Sequence, residues 1–440
     1  MDEVQLFYYF IESERSPEDD PLVLWLTGGP GCSAFFGLVY EVGPLSFDYA
    51  NSKTYSPKLK LNPYSWTKVA NMIFLDAPVG SEFSYAKNWE GYNISDTSSV
   101  AEIYEFLRKW LLVHPKFLSN TLYVMGDSYS GITVPMVVQE ISDGNEASRE
   151  PRMNIKGYVL GNPLTSAHAD FNARIPFAHL KTLISDELCE STKKDCNGEY
   201  IAVDPSNAAC VDDLKVYTEC TEQIRSSHIL EPTCQLLSPK PRPRTSSDRL
   251  LIFLNLEDDV GFITVCIHTF GQMIKPFKRL FTFGREASTS YEVLIYSGDH
   301  DMVIPYIATH AWIESLNLTI AHDWRPWFVD GQVAGFTMQY TSKKYCLTFA
   351  TLKGAGHTAP EYKPKESLAM IDSKRRHQWL RARLRQQMPK RNRGRGGHRQ
   401  GRHKEEKWVS SISINRQNRS TSTHSVMGDW DSISAVVLRI

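Results

Sequence analysis

The sequence predicts an α/β fold around a mostly parallel sheet, and three features of the first half of the chain support this. Two short apolar runs, Leu22–Leu26 and residues 70–75, do not alternate with polar residues, which is typical of strands buried on both faces. Residues 100–113 place apolar side chains at helical spacing and stop before Pro115. Strand-like and helix-like segments then alternate through residue 160, as in parallel strands joined by helices.

The other elements complete this pattern and divide the chain into four parts. Further strands are predicted at residues 4–11, 122–125, 155–160, 291–296, 333–340 and 345–351, and a helix through residues 135–141. Residues 1–179 and 291–373 form the two parts of the core. Residues 180–290 are interpreted as an insertion or lid, with a Pro-rich break for which an unstructured linker is the better interpretation. The basic segment 374–440 lacks a core-forming pattern until its final few residues and is predicted to be disordered in isolation.

Composition excludes several classes of protein. The chain has 440 residues, of which 42% are apolar and 22% charged, so wholesale disorder and a fibrous repeat are excluded. No apolar run approaches the roughly 18 residues of a membrane-spanning helix. The net charge of −1 combines two different regions. Residues 1–373 are acidic, with a net charge of −14, whereas residues 374–407 are basic, with 14 Lys and Arg. An arginine-glycine stretch at 391–399 suggests nucleic acid, but without interleaved aromatics a solvated tail is the preferred interpretation.

Five of the eight cysteines fall within 46 residues, namely Cys189, Cys196, Cys210, Cys220 and Cys234. No C-x-x-C occurs and two of the gaps are 14 residues, so local disulfides are favoured over zinc and no metal site is predicted. Asn93 and Asn317 begin glycosylation sequons. The N-terminus lacks the pattern of a signal peptide, which leaves a cytosolic protein or a start inside a longer precursor.

A nucleophilic serine is predicted at Ser128. The sequence G-D-S-Y-S-G at residues 126–131 follows a strand and precedes a helix, which is the setting of a nucleophile elbow. Ser130 stands where the usual G-x-S-x-G has its second glycine. Serine is small enough to pass the neighbouring strand.

The base and acid that a serine nucleophile needs are predicted further along the chain. Asp301 and His357 each follow a strand, so both belong at the carboxyl edge of the sheet, where open α/β sheets place their sites. Asp299 is an alternative acid and His300 an alternative base. Asp301 is preferred because it lies deeper in its loop, and His357 because His300 stands between two aspartates.

The glycine loop after Leu22–Leu26 has two interpretations. Residues 29–34 fit the dinucleotide pattern G-x-G-x-x-A, but Pro30 and a short following helix disfavour a nucleotide. The alternative is that N–H groups of this loop, with that of Tyr129, stabilise the oxyanion of an acyl transfer.

Taken together, these motifs resemble the serine carboxypeptidase-like proteins of plants. The resemblance rests on W-L-T-G-G-P-G-C-S at 25–33, D-A-P-V-G at 76–80, F-S-Y at 83–85, the serine motif, Y-S-G-D-H-D at 296–301 and G-A-G-H-T-A-P at 354–360. It covers about residues 3–240 and 291–372. It implies an α/β-hydrolase fold, a triad of Ser128, Asp301 and His357, and an oxyanion hole from Gly29 and Tyr129. It also implies a secreted or vacuolar glycoprotein with disulfides and no cofactor.

The same resemblance separates two activities. The family's carboxypeptidases usually carry Asn at position 27 and Glu at position 127, where this chain has Thr27 and Asp127. With Gly28 these residues are the predicted substrate-binding group. Thr27 and Asp127 resemble the acyltransferase branch, which implies a glucose ester of an aromatic acid as donor and a hydroxyl acceptor as partners. A carboxypeptidase acting on peptides is the alternative.

Departures from the family pattern also favour a third possibility, an inactive or merely binding member. Ser81 and Glu82 replace the usual Thr-Gly, and the segment 250–290 lacks several tens of residues that the family carries. The cysteine expected to bridge Cys32 is among them. Labelling of Ser128 by a fluorophosphonate would exclude a silent protein.

Overall fold

A computed structural model describes residues 4–52, 56–233, 291–342 and 345–372, and the backbone of residues 434–439. Predictions for residues 234–290 and 373–433, including the Pro-rich break, Cys234 and most of the basic tail, lie outside these described residues. Over the described ranges, no helix is both long enough and apolar enough to cross a membrane.

The central sheet contains eleven strands within the described residues. They are β1 (Val4–Ile11), β2 (Leu22–Leu26), β5 (Asn71–Leu75), β6 (Tyr85–Ala86), β7 (Leu122–Asp127), β8 (Ile155–Gly161), β9 (Glu292–Gly298), β10 (Thr319–Val329), β11 (Gln332–Ser342), β12 (Tyr345–Leu352) and β13 (Ser434–Arg439). The order is β10-β11-β12-β9-β8-β7-β2-β5-β1-β13, and β6 pairs with β1. The six strands from β12 to β5 run parallel, so the predicted mostly parallel sheet is confirmed. A separate hairpin joins β3 (Leu45–Phe47) to β4 (Leu59–Leu61).

Helices connect the strands, and two of them contain the helical segments predicted at residues 100–113 and 135–141. They are α1 (Ala34–Phe36), α2 (Asp96–Val113), α3 (Ser130–Glu146), α4 (Ala167–Asn172), α5 (Arg174–Leu180), α6 (Asp186–Asp195), α7 (Ala208–Thr221), α8 (Tyr306–Glu314), α9 (Ala359–Tyr362) and α10 (Pro364–Ile371), with a π-helical turn at Gly37–Glu41 and 3-10 turns at Trp66–Lys68, Glu90–Tyr92 and Pro115–Phe117. Helix α2 shows why its boundaries are sharp. Ser95 caps its first turn through a capping box with Ser98, and Pro115 follows its end.

The core lies on both faces of the sheet, which explains the unbroken apolar runs. Within β2, Leu22, Leu24 and Leu26 belong to the hydrophobic cluster on one face, whereas Val23 and Trp25 belong to the cluster on the other. All five side chains are buried. A strand covered on both faces has no solvent side, and therefore shows no polar alternation.

Two edge strands differ from the sequence-based expectation. Strand β10 was not predicted, because its polar and Pro-containing sequence is that of an exposed edge strand rather than a buried one. Strand β13 was not predicted either: at the end of the predicted basic tail, the backbone of Ser434–Arg439 pairs antiparallel with β1. Strand β13 thereby covers an edge that β1 would otherwise present.

The predicted insertion contains α6 and α7, which are joined by the disulfide Cys196–Cys210. One local bridge thus agrees with the prediction. Cys189 and Cys220 are free thiols, and Cys234, at the other end of the second 14-residue gap, lies outside the described residues. The division at residues 179 and 290 stays a prediction.

Candidate active site

Ser128 lies at the sharp turn between β7 and α3, with a backbone φ of 51°. A side chain other than glycine rarely adopts this left-handed conformation, and strain of this kind is concentrated at functional sites. The turn places Ser128 at the carboxyl end of a central parallel strand.

The residues that flank Ser128 must be small because other backbone segments approach closely. A Cβ atom added to Gly126 would lie 2.3 Å from the Leu26 carbonyl oxygen, and one added to Gly131 would lie 2.3 Å from the Leu164 carbonyl oxygen. Ser130, which departs from the usual motif, is buried, and its hydroxyl donates to the Leu26 carbonyl at 2.8 Å. A serine therefore fits where the usual motif has glycine.

The structure brings Ser128, His357 and Asp301 together. His357 Nε2 lies 2.9 Å from Ser128 Oγ, and His357 Nδ1 lies 2.8 Å from Asp301 Oδ2. Because a carboxylate only accepts, Nδ1 carries the proton that it donates, and Nε2 is left to accept from the serine hydroxyl. This is the arrangement in which an imidazole removes a proton from a serine.

The two alternative residues pair with each other instead. His300 Nδ1 lies 2.6 Å from Asp299 Oδ1, which also accepts from the Gly354 N–H at 2.7 Å. Asp299 thus fixes the turn that precedes His357, whereas Asp301 contacts His357 itself. The structure thus brings Asp301, and not Asp299, into contact with His357, and the catalytic roles of these residues stay a prediction.

Residues 226–229, within the predicted insertion, form backbone hydrogen bonds with the loops that carry Asp301 and His357. Their carbonyl groups accept from the N–H groups of Met302 at 2.8 Å and His357 at 2.7 Å, and their last N–H donates to the His300 carbonyl at 3.1 Å. No local sequence pattern predicts this backbone contact. Residues 226–229 therefore contribute to the geometry of the site.

The glycine loop lies against the serine. A Cβ atom on Gly28 would be 2.6 Å from Ser128 Cβ and 2.9 Å from the Tyr129 nitrogen, and Gly29 has a φ of 116°. Thr27 Oγ1 accepts from the Trp25 indole N–H at 3.1 Å. The loop is thus placed beside the nucleophile, as the oxyanion interpretation requires.

Sequence reasoning missed a buried carboxyl group, that of Glu41. The Glu41 and Asp127 side chains are both buried, and Asp127 is near enough to affect the ionisation of Glu41, while Asp127 Oδ1 accepts from the Gly28 N–H at 3.0 Å. Burial raises the pKa of both carboxyls, and the negative charge of Asp127 raises the pKa of Glu41 further. The only sequence signal was an acidic residue inside an apolar segment, residues 38–42.

Neighbouring charged groups determine the pKa of His357. Burial by itself lowers the pKa of His357, but the Asp301 carboxylate that it bonds, helped by Asp127, outweighs burial and raises the pKa above its ordinary value. Arg174 opposes this shift. The net effect makes the imidazole a stronger proton acceptor.

The remaining predicted sites are on the surface. Asn93 and Asn317 are both exposed, and glycosylation at these positions stays a prediction. Over the described ranges, no three or more His, Cys, Asp or Glu side chains are grouped as a metal site would require.

The parallel sheet, the strained serine turn and the Ser–His–Asp contacts define an enzyme of the α/β-hydrolase class. A family model described as serine carboxypeptidase matches residues 1–261 and 263–376. The chain therefore belongs to the serine carboxypeptidase family.

Named relatives and a solved structure agree. The chain is similar to serine carboxypeptidase-like 12 of Arabidopsis thaliana, at 47% identity over 84% of this chain and 87% of the relative, and to serine carboxypeptidase-like 10 of the same plant, at 48% identity over the same shares. A prohormone-processing carboxypeptidase from Saccharomyces cerevisiae is 18% identical, with a TM-score of 0.60 over 85% of this chain and 87% of that one. At this identity the yeast structure shows the fold alone.

Proposed function

We propose that this protein is an acyltransferase that moves an aromatic acyl group from a glucose ester to an alcohol. Ser128 attacks the ester carbonyl while His357 takes the serine proton. The N–H groups of Gly29 and Tyr129 are assigned to the oxyanion, where removing one such donor typically costs about 3 to 4 kcal/mol of barrier.

The second half of the reaction mirrors the first. His357 gives its proton to the departing glucose oxygen, then accepts a proton from the acceptor hydroxyl as that oxygen attacks the acyl-enzyme. The acceptor competes with water, so transfer requires that the alcohol be positioned and water excluded. Residues 226–229 place part of the insertion directly beside these loops, which suits this task.

One observation carries the choice of transferase, namely the buried pair of Glu41 and Asp127. A peptide's terminal carboxylate needs donors, but Thr27 lacks an amide donor and its oxygen accepts from Trp25. The acid pair presents negative charge once it loses a proton. A neutral sugar ester avoids this repulsion, whereas a free carboxylate does not.

The environment of the acyl group also suits an aromatic acid. Tyr129 belongs to a buried apolar cluster with Ile132, Leu164, Ala167 and Ile304. Since Tyr129 directly follows the nucleophile, this cluster adjoins the position of the acyl carbonyl. An apolar acyl group gains from burial there, at roughly 25 cal/mol per Å².

A serine carboxypeptidase is the second candidate, and the same acid pair favours it under one condition. When both carboxyls are protonated, each has an O–H that donates to a peptide carboxylate. Because burial raises the pKa of both groups, this condition is met at acidic pH. Peptidase activity would therefore be favoured at the acidic end of the pH range in which His357 is still neutral, and would fade as pH rises.

A single set of assays separates the candidates. Purified protein is incubated with glucose esters of aromatic acids, with and without alcohol acceptors, and with blocked dipeptides, and Ser128→Ala serves as the control. Acyl transfer to the alcohol that disappears in Ser128→Ala is the expected result. Peptide release without ester turnover contradicts the proposal, and failure of a fluorophosphonate to label Ser128 identifies a silent member.

The cellular setting follows from the same features. The disulfide between Cys196 and Cys210 favours folding in an oxidising compartment, and the exposed sequons at Asn93 and Asn317 suit a secretory route. We assign the protein to the vacuole or the extracellular space. N-glycosidase treatment of the natural protein tests this, because an unchanged mass contradicts it.

A further inference from the structure

The turn that follows β8 connects the serine to the strand before Asp301. The Ser128 N–H donates to the Gly161 carbonyl, the Leu164 N–H donates to the Ser128 carbonyl, and the Asn162 N–H donates to the Tyr296 carbonyl, each at 2.8 Å. One turn is thus bonded to the nucleophile on both sides of its Cα and to β9. A displacement of this turn would move the serine relative to Asp301.

Asn162 extends this connection with its side chain. Its Nδ2 donates to Asp301 Oδ2 at 2.7 Å, and its Oδ1 accepts from the Gly298 N–H at 3.2 Å. The residue is fully buried, with a φ of 41°, a conformation that asparagine tolerates better than most residues. Both ends of the amide are therefore used, and its orientation is fixed.

The bond to Asp301 is made at the oxygen that holds the histidine. Asp301 is fully buried, and its Oδ2 accepts from both Asn162 Nδ2 and His357 Nδ1, whereas its Oδ1 accepts from the Val303 N–H at 2.7 Å. Three donors compensate for the lost hydration of this carboxylate. Without Asn162, the side chain of Asp301 would retain one donor besides the histidine and would be free to rotate.

We infer that Asn162 is a positioning residue for the reaction. It holds the Asp301 carboxylate in the rotation that orients His357, and through its backbone it fixes the distance between that carboxylate and Ser128. It touches no reacting atom. Its effect on turnover is exerted through His357, which loses its fixed tautomer when Asp301 turns.

Two variants test this role without straining the backbone. Asn162→Gly removes the amide and tolerates a positive φ. Asn162→Asp keeps the shape but places a second carboxyl against Asp301, so the two acids share a proton or repel. Asn71→Asp is the matched control, because Asn71 is equally buried and its amide donates to the Pro17 and Asp20 carbonyls at the opposite end of the sheet.

Hydrolysis of 4-nitrophenyl acetate, corrected for the folded fraction, needs the triad but neither the acyltransferase nor the peptidase specificity. We expect both Asn162 variants to lose at least roughly tenfold in kcat with a smaller change in KM. Asn162→Asp also moves the acidic limb of the pH profile upward, since added negative charge favours the protonated imidazole. Asp127 and Arg174, which also act on His357, are the same in all variants.

The control separates positioning from folding. Asn71→Asp is expected to lower stability while kcat per folded molecule and the pH profile stay unchanged. Wild-type kcat and pH profile in both Asn162 variants would overturn the inference.

If the wild-type protein does not hydrolyse 4-nitrophenyl acetate, an NMR measurement tests the role of Asn162 instead. The proton NMR resonance of His357 Nδ1–H is expected to shift or vanish in the Asn162 variants and to persist in Asn71→Asp. If the resonance changes in this way but the wild type shows no turnover, the proposed function is rejected and the role of Asn162 is supported. An unchanged resonance in both Asn162 variants rejects that role.

Discussion

Asp76 links β5 to the beginning of the glycine-loop helix, and its protonation is expected to govern part of the protein's stability. It is fully buried, and its Oδ1 accepts from Ser33 Oγ at 3.0 Å and from the Ala34 N–H at 2.7 Å. Burial raises the pKa of Asp76 from 3.8 to about 6, against the lowering effect of these bonds. Asp76→Asn removes the titration and keeps the shape.

The sign of the effect follows from the direction of the shift. Between the unfolded pKa of 3.8 and the folded pKa of about 6, the folded protein retains a proton that the unfolded chain has lost. The stabilisation that this proton provides is therefore present in full below pH 3.8 and is lost as the pH rises through the folded pKa of Asp76. A shift of this size corresponds to about 3 kcal/mol of unfolding free energy.

Urea unfolding from about pH 4 to about pH 7 measures this contribution of Asp76 to the free energy of unfolding. We expect the stability of Asp76→Asn relative to wild type to rise by about 2 to 3 kcal/mol across this range. Other buried acids, such as Asp170, are present in both proteins and cancel in the difference. Glu18→Gln, at an exposed position, should show no such trend. A difference between Asp76→Asn and wild type that is flat with pH would refute the reasoning.

Three further predictions concern the site and the insertion. Ser128→Gly should be about 1 kcal/mol more stable than Ser128→Ala, since only glycine relieves the positive φ; equal thermal stabilities would argue against strain at the turn. Replacing Cys196 and Cys210 by serine should lower the unfolding free energy by about 3 kcal/mol, because the bridge closes a loop with a sequence separation of 14. Unchanged urea midpoints under non-reducing conditions would contradict this. The acidic limb of kcat/KM should lie above about pH 6.5, because His357 must be neutral to act and its pKa is raised; a limb below that value would show that another group controls the rate.

The parts of the site that follow a strand were predictable from local sequence. Ser128, Asp301 and His357 each lie just beyond a recognisable strand, and parallel strands bring their carboxyl ends to one edge. The contact between His357 and Ser128 spans 229 residues of sequence. It was nevertheless predictable, because the order of serine, acid and histidine constrains the topology.

Contacts among residues without a motif were not predictable. Glu41 resembles a surface residue within an apolar segment, and only the folding of its π-helical turn buries it near Asp127. Asn162 contacts Asp301 across 139 residues, and no local pattern marks either partner for the other. Strand β10 was missed for a related reason, since an edge strand exposed to solvent lacks the apolar signature of a buried one.

The sequence by itself determined the class of fold, the strands that carry the site and the three residues that meet there, because local apolar patterns and turn residues record which segments are buried and where they end. Only the tertiary structure decided the charge environment of those residues. It determines which acids are buried together, which amide bonds Asp301, and how residues 226–229 bond the loops that carry Asp301 and His357. The physical reason is that pKa values and hydrogen-bond partners depend on distances between segments far apart in the chain, and such distances are set by the order of strands in the sheet rather than by neighbouring residues.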